Sequence, residues 1–181
     1  MMRLASLALF CLLAAFAAAP AARAGSAYEI DRGVDATLDR FFDRIGGAQE
    51  LARKAVGILV FPSVVKAGFG IGGEYGEGAL RIRGRTVDYY NMISASIGFQ
   101  LGVQERSVII VFMTHEALDQ FRRTAGWKIG ADASVAIITV GIGGSIDTNK
   151  ITSPVVGFIL DPKGLMYNLT LEGTKISKIH P

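Results

Sequence analysis

Apolar residues recur along this 181-residue chain with two different periods. Across residues 31–45 they fall at Val34, Leu38, Phe41, Phe42 and Ile45, the spacing of one helical face. Asp35, Asp39, Arg40, Asp43 and Arg44 take the other side. Asp31 is the candidate N-cap, and Gly46-Gly47 is the stop. A short second helix is predicted over about 48–54. From Val56 onward the pattern shortens to that of strands. Residues 56–61 form one, punctuated by Pro62-Ser63. Residues 66–75 and 78–85 read as a hairpin turning near Gly76-Glu77. A further short strand lies within 86–92. Residues 94–103 and 107–113 read as a pair with a turn at Gln104-Glu105-Arg106. Thr114 then caps a helix over 115–124 with Leu118 and Phe121 on its apolar side, and Gly126 ends it. Residues 129–146 read as one or two strands and 147–150 as a loop. Residues 155–160 and 165–172 are strands joined by Asp161-Pro162-Lys163-Gly164, a strong turn signal.

Glycine is unusually frequent in the strand-like part, as in Lys66-Ala67-Gly68-Phe69-Gly70-Ile71-Gly72-Gly73-Glu74-Tyr75-Gly76. It normally weakens a strand, so its repeated use implies close backbone approach, bulges or sharp curvature. The expected fold is α+β: a Gly-rich, strongly curved, mostly antiparallel sheet or barrel-like core with a few packed helices. No linker or low-complexity block divides the chain. One domain is expected over 25–181, with a helical part at about 31–55 and a β-rich part at about 56–177.

The first 24 residues read differently. Arg3 precedes an apolar run over 4–19, and Ala22-Arg23-Ala24 has the small-x-small pattern of a signal peptidase site. Cleavage is expected before Gly25, with export to the periplasm or outer envelope. The apolar run is short for a membrane span. Cys11, the only cysteine, lies in this leader, so the mature chain has neither disulfide nor thiol chemistry. Whole-chain net charge is +3, from 19 basic and 16 acidic residues. Without Arg3 and Arg23 the basic count falls to 17, a net charge of +1. That balance excludes a globally basic nucleic-acid binder and leaves anion binding to local patches.

Three features bear on chemistry. Gly68-x-Gly70-x-x-Gly73 has dinucleotide-binding spacing, but no helix follows to hold a pyrophosphate, so a curved sheet is the better account. Arg81, Arg83 and Arg85 alternate, which on one strand places three guanidinium groups on one face. Such a row suits phosphate or a phospholipid headgroup, and equally an edge strand kept soluble by charge. Arg122, Arg123 and Lys128 surround Trp127, an arrangement suited to a membrane interface or to a core tryptophan beside a solvated helix end. His115 and His180 stand far apart, and no spacing resembles a metal site or a catalytic triad. No catalytic residue, metal or cofactor is assigned.

Lys66-Ala67-Gly68-Phe69 and the glycine run from Gly70 to Gly78 resemble the hallmark of the SYLF domain family. Upstream Ala55-Val56-Gly57-Ile58-Leu59-Val60-Phe61-Pro62, middle Gly98-Phe99-Gln100-Leu101-Gly102 and late Lys163-Gly164-Leu165 and Leu171-Glu172-Gly173 follow the family's order. The resemblance spans roughly 51–177. It implies a compact lipid-binding domain, with phosphoinositides and actin as partners of eukaryotic members. A leader and the lack of SH3 or FYVE modules turn the expectation away from actin, toward a non-enzymatic protein of the bacterial envelope meeting anionic phospholipid. Lys66 falls within the matching motif. The candidate lipid contacts are therefore Lys66, Arg81, Arg83, Arg85, Arg122, Arg123, Trp127 and Lys128. The alternative is a structural or protein-interaction module of the envelope without a lipid ligand.

Overall fold

The computed structural model describes residues 25–69, 71–97, 102–138, 144–163 and 171–181. The expected leader over 1–24, most of the strand expected at 165–172, part of the 129–146 stretch and Gly98 to Leu101 of the middle motif lie outside the described residues.

Helix α1 spans Ala27–Arg44 and α2 Ala48–Lys54. The expected N-cap, Asp31, is instead inside α1. Ser26 caps the helix through a capping box: its Oγ accepts from Glu29 N–H at 3.3 Å, and Glu29 Oε2 accepts from Ser26 N–H at 2.9 Å. Two reciprocal bonds outweigh the single one that Asp31 offered. Asp31 works sideways, accepting from Thr86 Oγ1 at 2.6 Å and Tyr89 OH at 2.9 Å. Gly47, at φ 79°, separates the two helices.

Strands β1 (Gly57–Phe69), β2 (Ile71–Ile82), β3 (Arg85–Ile97) and β4 (Gly102–Phe112) form an antiparallel Greek key, with β4 returning beside β1, at the heart of an eight-stranded sheet. Helix α3 (His115–Arg123) follows, with Thr114 as its N-cap. Short β5 (Trp127–Lys128) and β6 (Ala136–Ile138) then give way to β7 (Val155–Lys163) and β8 (Lys175–Ile179). The order is β5-β8-β3-β2-β1-β4-β7-β6, and only β6 and β7 run parallel. The sheet curls into a half-barrel whose two edge strands are short, which limits edge-to-edge pairing.

Three turn expectations are corrected. Gly76-Glu77 is no turn but lies inside β2, paired with Val64 and Ser63 of β1, and the pairing of the two strands runs on to Phe69 and Ile71. Gln104-Glu105-Arg106 is inside β4, because Gln104 and Arg106 point into buried space while Glu105 faces water. Asp161-Pro162-Lys163 ends β7 rather than turning. Pro62 is tolerated within β1 because the register shifts between Val60 and Ser63 toward β2, and between Phe61 and Val64 toward β4. At this bulge the strands press together: a Cβ on Gly78 would lie 2.1 Å from the Val60 carbonyl oxygen.

Both sheet faces are buried. On one, Leu59, Leu80, Tyr90, Val108 and Phe112 pack beneath Leu118 and Phe121 of α3 and Trp127. On the other, Val60, Ala79, Ile109, Val111 and Phe158 receive Ile30, Val34, Phe41 and Leu51 from α1 and α2. Each buried Val, Leu, Ile or Phe among them contributes about 1.5–3 kcal/mol when removed from water. Beyond the N-terminus of α1 the helix no longer covers its face. There Val65, Tyr75 and Ile93, adjacent across β1, β2 and β3, are 42%, 42% and 49% exposed, and Val103 on β4 is 65% exposed.

Candidate functional site

The inward side chains of that same end are charged. Lys66 on β1 lies opposite Glu74 on β2 and Gln104 on β4, one residue pair along from Val64 and Arg106. Glu74 Oε1 is 3.2 Å from Lys66 Nζ, and its Oε2 accepts from Arg106 Nη2 at 2.7 Å. All four polar residues are buried. Lys66 is therefore a member of an internal ion cluster rather than of an exposed surface.

The concave surface with mixed chemistry lies at the other end of β1 and β2. A groove of about 600 Å³ opens between α1, α2 and the strand ends. Leu38, Phe42, Ala52, Val56 and Ile58 supply apolar wall, while Asp35, Arg53, Arg81 and Arg83 supply charge. Leu38 and Phe42 come from α1, Ala52 from α2, Ile58 from the start of β1 and Val56 from the residue before it. The cations come from the last turn of α2 and from the β2–β3 reversal.

The expected row of three arginines on one strand is not formed. Ile82 pairs with Arg85, so Arg83 and Gly84 are the two central residues of a tight turn. Their φ angles are 52° and 77°, the left-handed pair that a primed hairpin turn demands. Arg81 stays on β2 and is drawn toward α1. Its Nη2 donates to Asp35 Oδ1 at 2.7 Å and lies 3.4 Å from Asp31 Oδ1. Arg83 and Arg85 are exposed, and neither pairs with an acid among the described residues. The groove thus holds one arginine already committed to carboxylates and two, Arg53 and Arg83, that face solvent.

The second cationic group sits on the opposite sheet face. Arg122 Nη2 donates to Asp88 Oδ2 at 3.2 Å, and Lys178 pairs with Asp88 Oδ1. Arg123 Nε donates to the Asp119 carbonyl at 3.2 Å. Lys128 is exposed, opposite Lys175 across β5 and β8. Trp127 is 1% exposed, edge-on to Phe121 with ring centroids 5.2 Å apart. Its ring belongs to the core, as packing against Phe112 and Phe121 requires, and does not reach a surface. Sequence reading missed Arg53, whose α2 position looks like an ordinary helix-end cation, and missed the apolar wall beside the turn.

Residues 93–180 match the Ysc84 family, described as Las17-binding protein actin regulator. The chain belongs to the SYLF family. The family is known for binding lipid or actin and is not a known enzyme family. A comparison with curated proteins gives no match. The SYLF match starts at Ile93, so β4, α3, Arg122 and Lys178 lie within it, whereas Asp88 and the groove residues 35–84 precede it.

Proposed function

We propose that this SYLF protein is an exported, non-enzymatic phospholipid-binding protein of the bacterial envelope, which recognises anionic headgroups at the arginine-rimmed groove. One observation carries the reading. A non-glycine residue at φ 52° is held at a backbone cost, and that residue is an arginine beside an apolar groove. Left-handed backbone costs an L-residue about 1–2 kcal/mol, and asparagine or glycine is the usual solution at such a turn. Strain of this kind concentrates at functional sites. The chemistry is complementary: Arg53 and Arg83 offer planar, charge-assisted donors for a phosphodiester, and the Leu38, Phe42 and Ile58 wall suits the first acyl methylenes. The leader over 1–24 supports export and contact with the envelope.

Co-sedimentation of residues 25–181 with vesicles tests this. Binding is expected to vesicles containing phosphatidylglycerol, to be absent with phosphatidylcholine alone, and to fall at high salt. An exposed arginine near an anionic surface is worth about 1 kcal/mol, so Arg53→Gln and Arg83→Gln should each weaken partitioning about fivefold. Equal binding of wild type and the double variant excludes the groove.

A second reading is supported by the exposed apolar row of Val65, Tyr75, Ile93 and Val103. A protein-interaction module of the envelope would use such a surface. It is favoured if vesicles fail to bind and sedimentation equilibrium shows an oligomer that Val103→Asp dissociates.

A further inference from the structure

The amide nitrogen of Gly25 lies 2.7 Å from Glu77 Oε2, and the contact is half-buried between the start of α1 and the middle of β2. Glu77 is anchored for this task, because its other oxygen accepts from Tyr75 OH at 2.5 Å. Gly25 is also the residue expected to become the N-terminus once the small-x-small site Ala22-Arg23-Ala24 is cut. The two observations are independent: one is a leader-sequence pattern, the other a contact 52 residues apart in the chain.

We propose that Glu77 is the receptor for the amino group created by cleavage between Ala24 and Gly25, so that export processing latches α1 onto the sheet. The proposal rests on the export reading above. A signal peptidase adds water across the Ala24–Gly25 amide. Ala24 leaves with the new carboxylate, and Gly25 keeps the nitrogen, which takes up a proton at neutral pH. A neutral amide donor thereby becomes an ammonium facing a carboxylate, and charge-assisted bonds are roughly twice as strong as neutral ones.

The location makes the partner necessary. Gly25 immediately precedes the N-cap of α1, where the positive end of the helix dipole disfavours a cation. Glu77 faces it from β2, with Tyr75 on its other oxygen, and Glu29 of α1 bonds the adjoining Ser26. Glu29 Oε2 is occupied by Ser26 N and Oγ, at 2.9 and 3.1 Å, which leaves Glu77 as the direct counter-ion. Glycine suits the position, since a Cβ there would already be 3.2 Å from Glu77 Oε2 and 3.5 Å from Ile30 Cγ1. In the precursor the same nitrogen is an uncharged amide continuous with the leader, so the full latch is made only after processing.

The test uses the full chain, expressed with its leader in a bacterium and recovered from the envelope. Intact mass should give a mature protein beginning at Gly25. Selective acetylation of that amine keeps the N–H donor and removes the charge. The unfolding equilibrium constant in urea should rise about tenfold on acetylation of the wild type. It should not change on acetylation of Glu77→Gln, while Tyr75→Phe should keep most of the tenfold difference. The acetylated and free wild-type forms suffice by themselves if Glu77→Gln fails to fold. Equal constants for those two forms overturn the latch and leave export standing. Recovery of the chain with its leader uncut overturns the latch through the export reading on which it rests, and a start at any residue other than Gly25 overturns the latch alone.

Discussion

Arg83 shows how one residue can set stability against binding. A primed two-residue turn is needed because its twist matches that of β2 and β3, and Gly84 at φ 77° meets half of that need without cost. Arg83 does not. Arg83→Asn should raise unfolding free energy by about 1 kcal/mol in urea titration while lowering vesicle partitioning; a variant that gains stability and keeps full binding would remove Arg83 from the site. Glu74 makes the opposite case. It is the carboxylate shared by the buried Lys66 and Arg106, at 3.2 and 2.7 Å. Glu74→Ala should cost about 3–5 kcal/mol, since two buried cations lose their common counter-charge. Tyr90 supplies a pH dependence. Burial, then the nearby Asp88 carboxylate, push its hydroxyl up to about 12. Because the folded value exceeds the ordinary value near 10, the contribution is complete below pH 10 and is lost as pH rises from about 10 to about 12. Urea midpoints measured across that window should fall less steeply in Tyr90→Phe than in the wild type.

At the scale of elements, the glycines of β2 divide into those a bulge requires and those it does not. Gly78 lies where β1 bulges around Pro62, and an added Cβ would meet the Val60 oxygen at 2.1 Å and the Phe61 ring at 2.7 Å. Gly73 has only the Ser94 oxygen nearby, at 3.7 Å. Gly78→Ala should therefore destabilise by about 3 kcal/mol, whereas Gly73→Ala should be neutral or stabilise by up to about 1 kcal/mol; equal effects in urea unfolding would show that the bulge does not govern the glycine pattern. The same bulge explains what the sequence could and could not reveal. Helices were legible because their signals are local: α2 was placed to the residue, and α3 to within one at its end. Strand ends were not, because glycine, proline and charged residues mark turns only when nothing across the sheet accepts them. Gly76-Glu77 continues β2 opposite the bulge, and Gln104 and Arg106 continue β4 because the inward surface there is polar. The α+β class and curvature were readable from glycine frequency, while β8 was not anticipated. Of the site, the arginines around residue 83 were visible as a cluster. Their division into a committed Arg81 and an exposed Arg83 depends on Asp31 and Asp35, which lie about fifty residues away in the chain.

The whole molecule presents two unlike ends. The β2–β3 turn end carries the groove arginines on the α1 side of the sheet, and Arg122 and Lys178 around Asp88 on the α3 side. The far end of these strands carries the exposed Val65, Tyr75, Ile93 and Val103 outside and the Lys66, Glu74 and Arg106 cluster inside. β2 runs from one end to the other, and its 12 residues span roughly 36 Å at about 3.3 Å per residue. A rigid domain of that length resting end-on on a bilayer can bury only one end, so electrostatic and apolar docking predict opposite orientations. The chain reports its own orientation conveniently, since its only cysteine, Cys11, lies outside the 25–181 segment used for vesicle binding. A single cysteine at Val87, which is 41% exposed near the arginine end, or at Val103 carries one solvent-sensitive fluorophore without competing thiols. On vesicles containing phosphatidylglycerol the Val87→Cys label should shift to the blue and lose the shift at high salt, because exposed charge attraction is screened within about 10 Å at 0.1 M. The Val103→Cys label should stay in water. A shift at Val103 that survives high salt, with none at Val87, would turn the molecule over and assign membrane contact to the apolar row in place of the arginines.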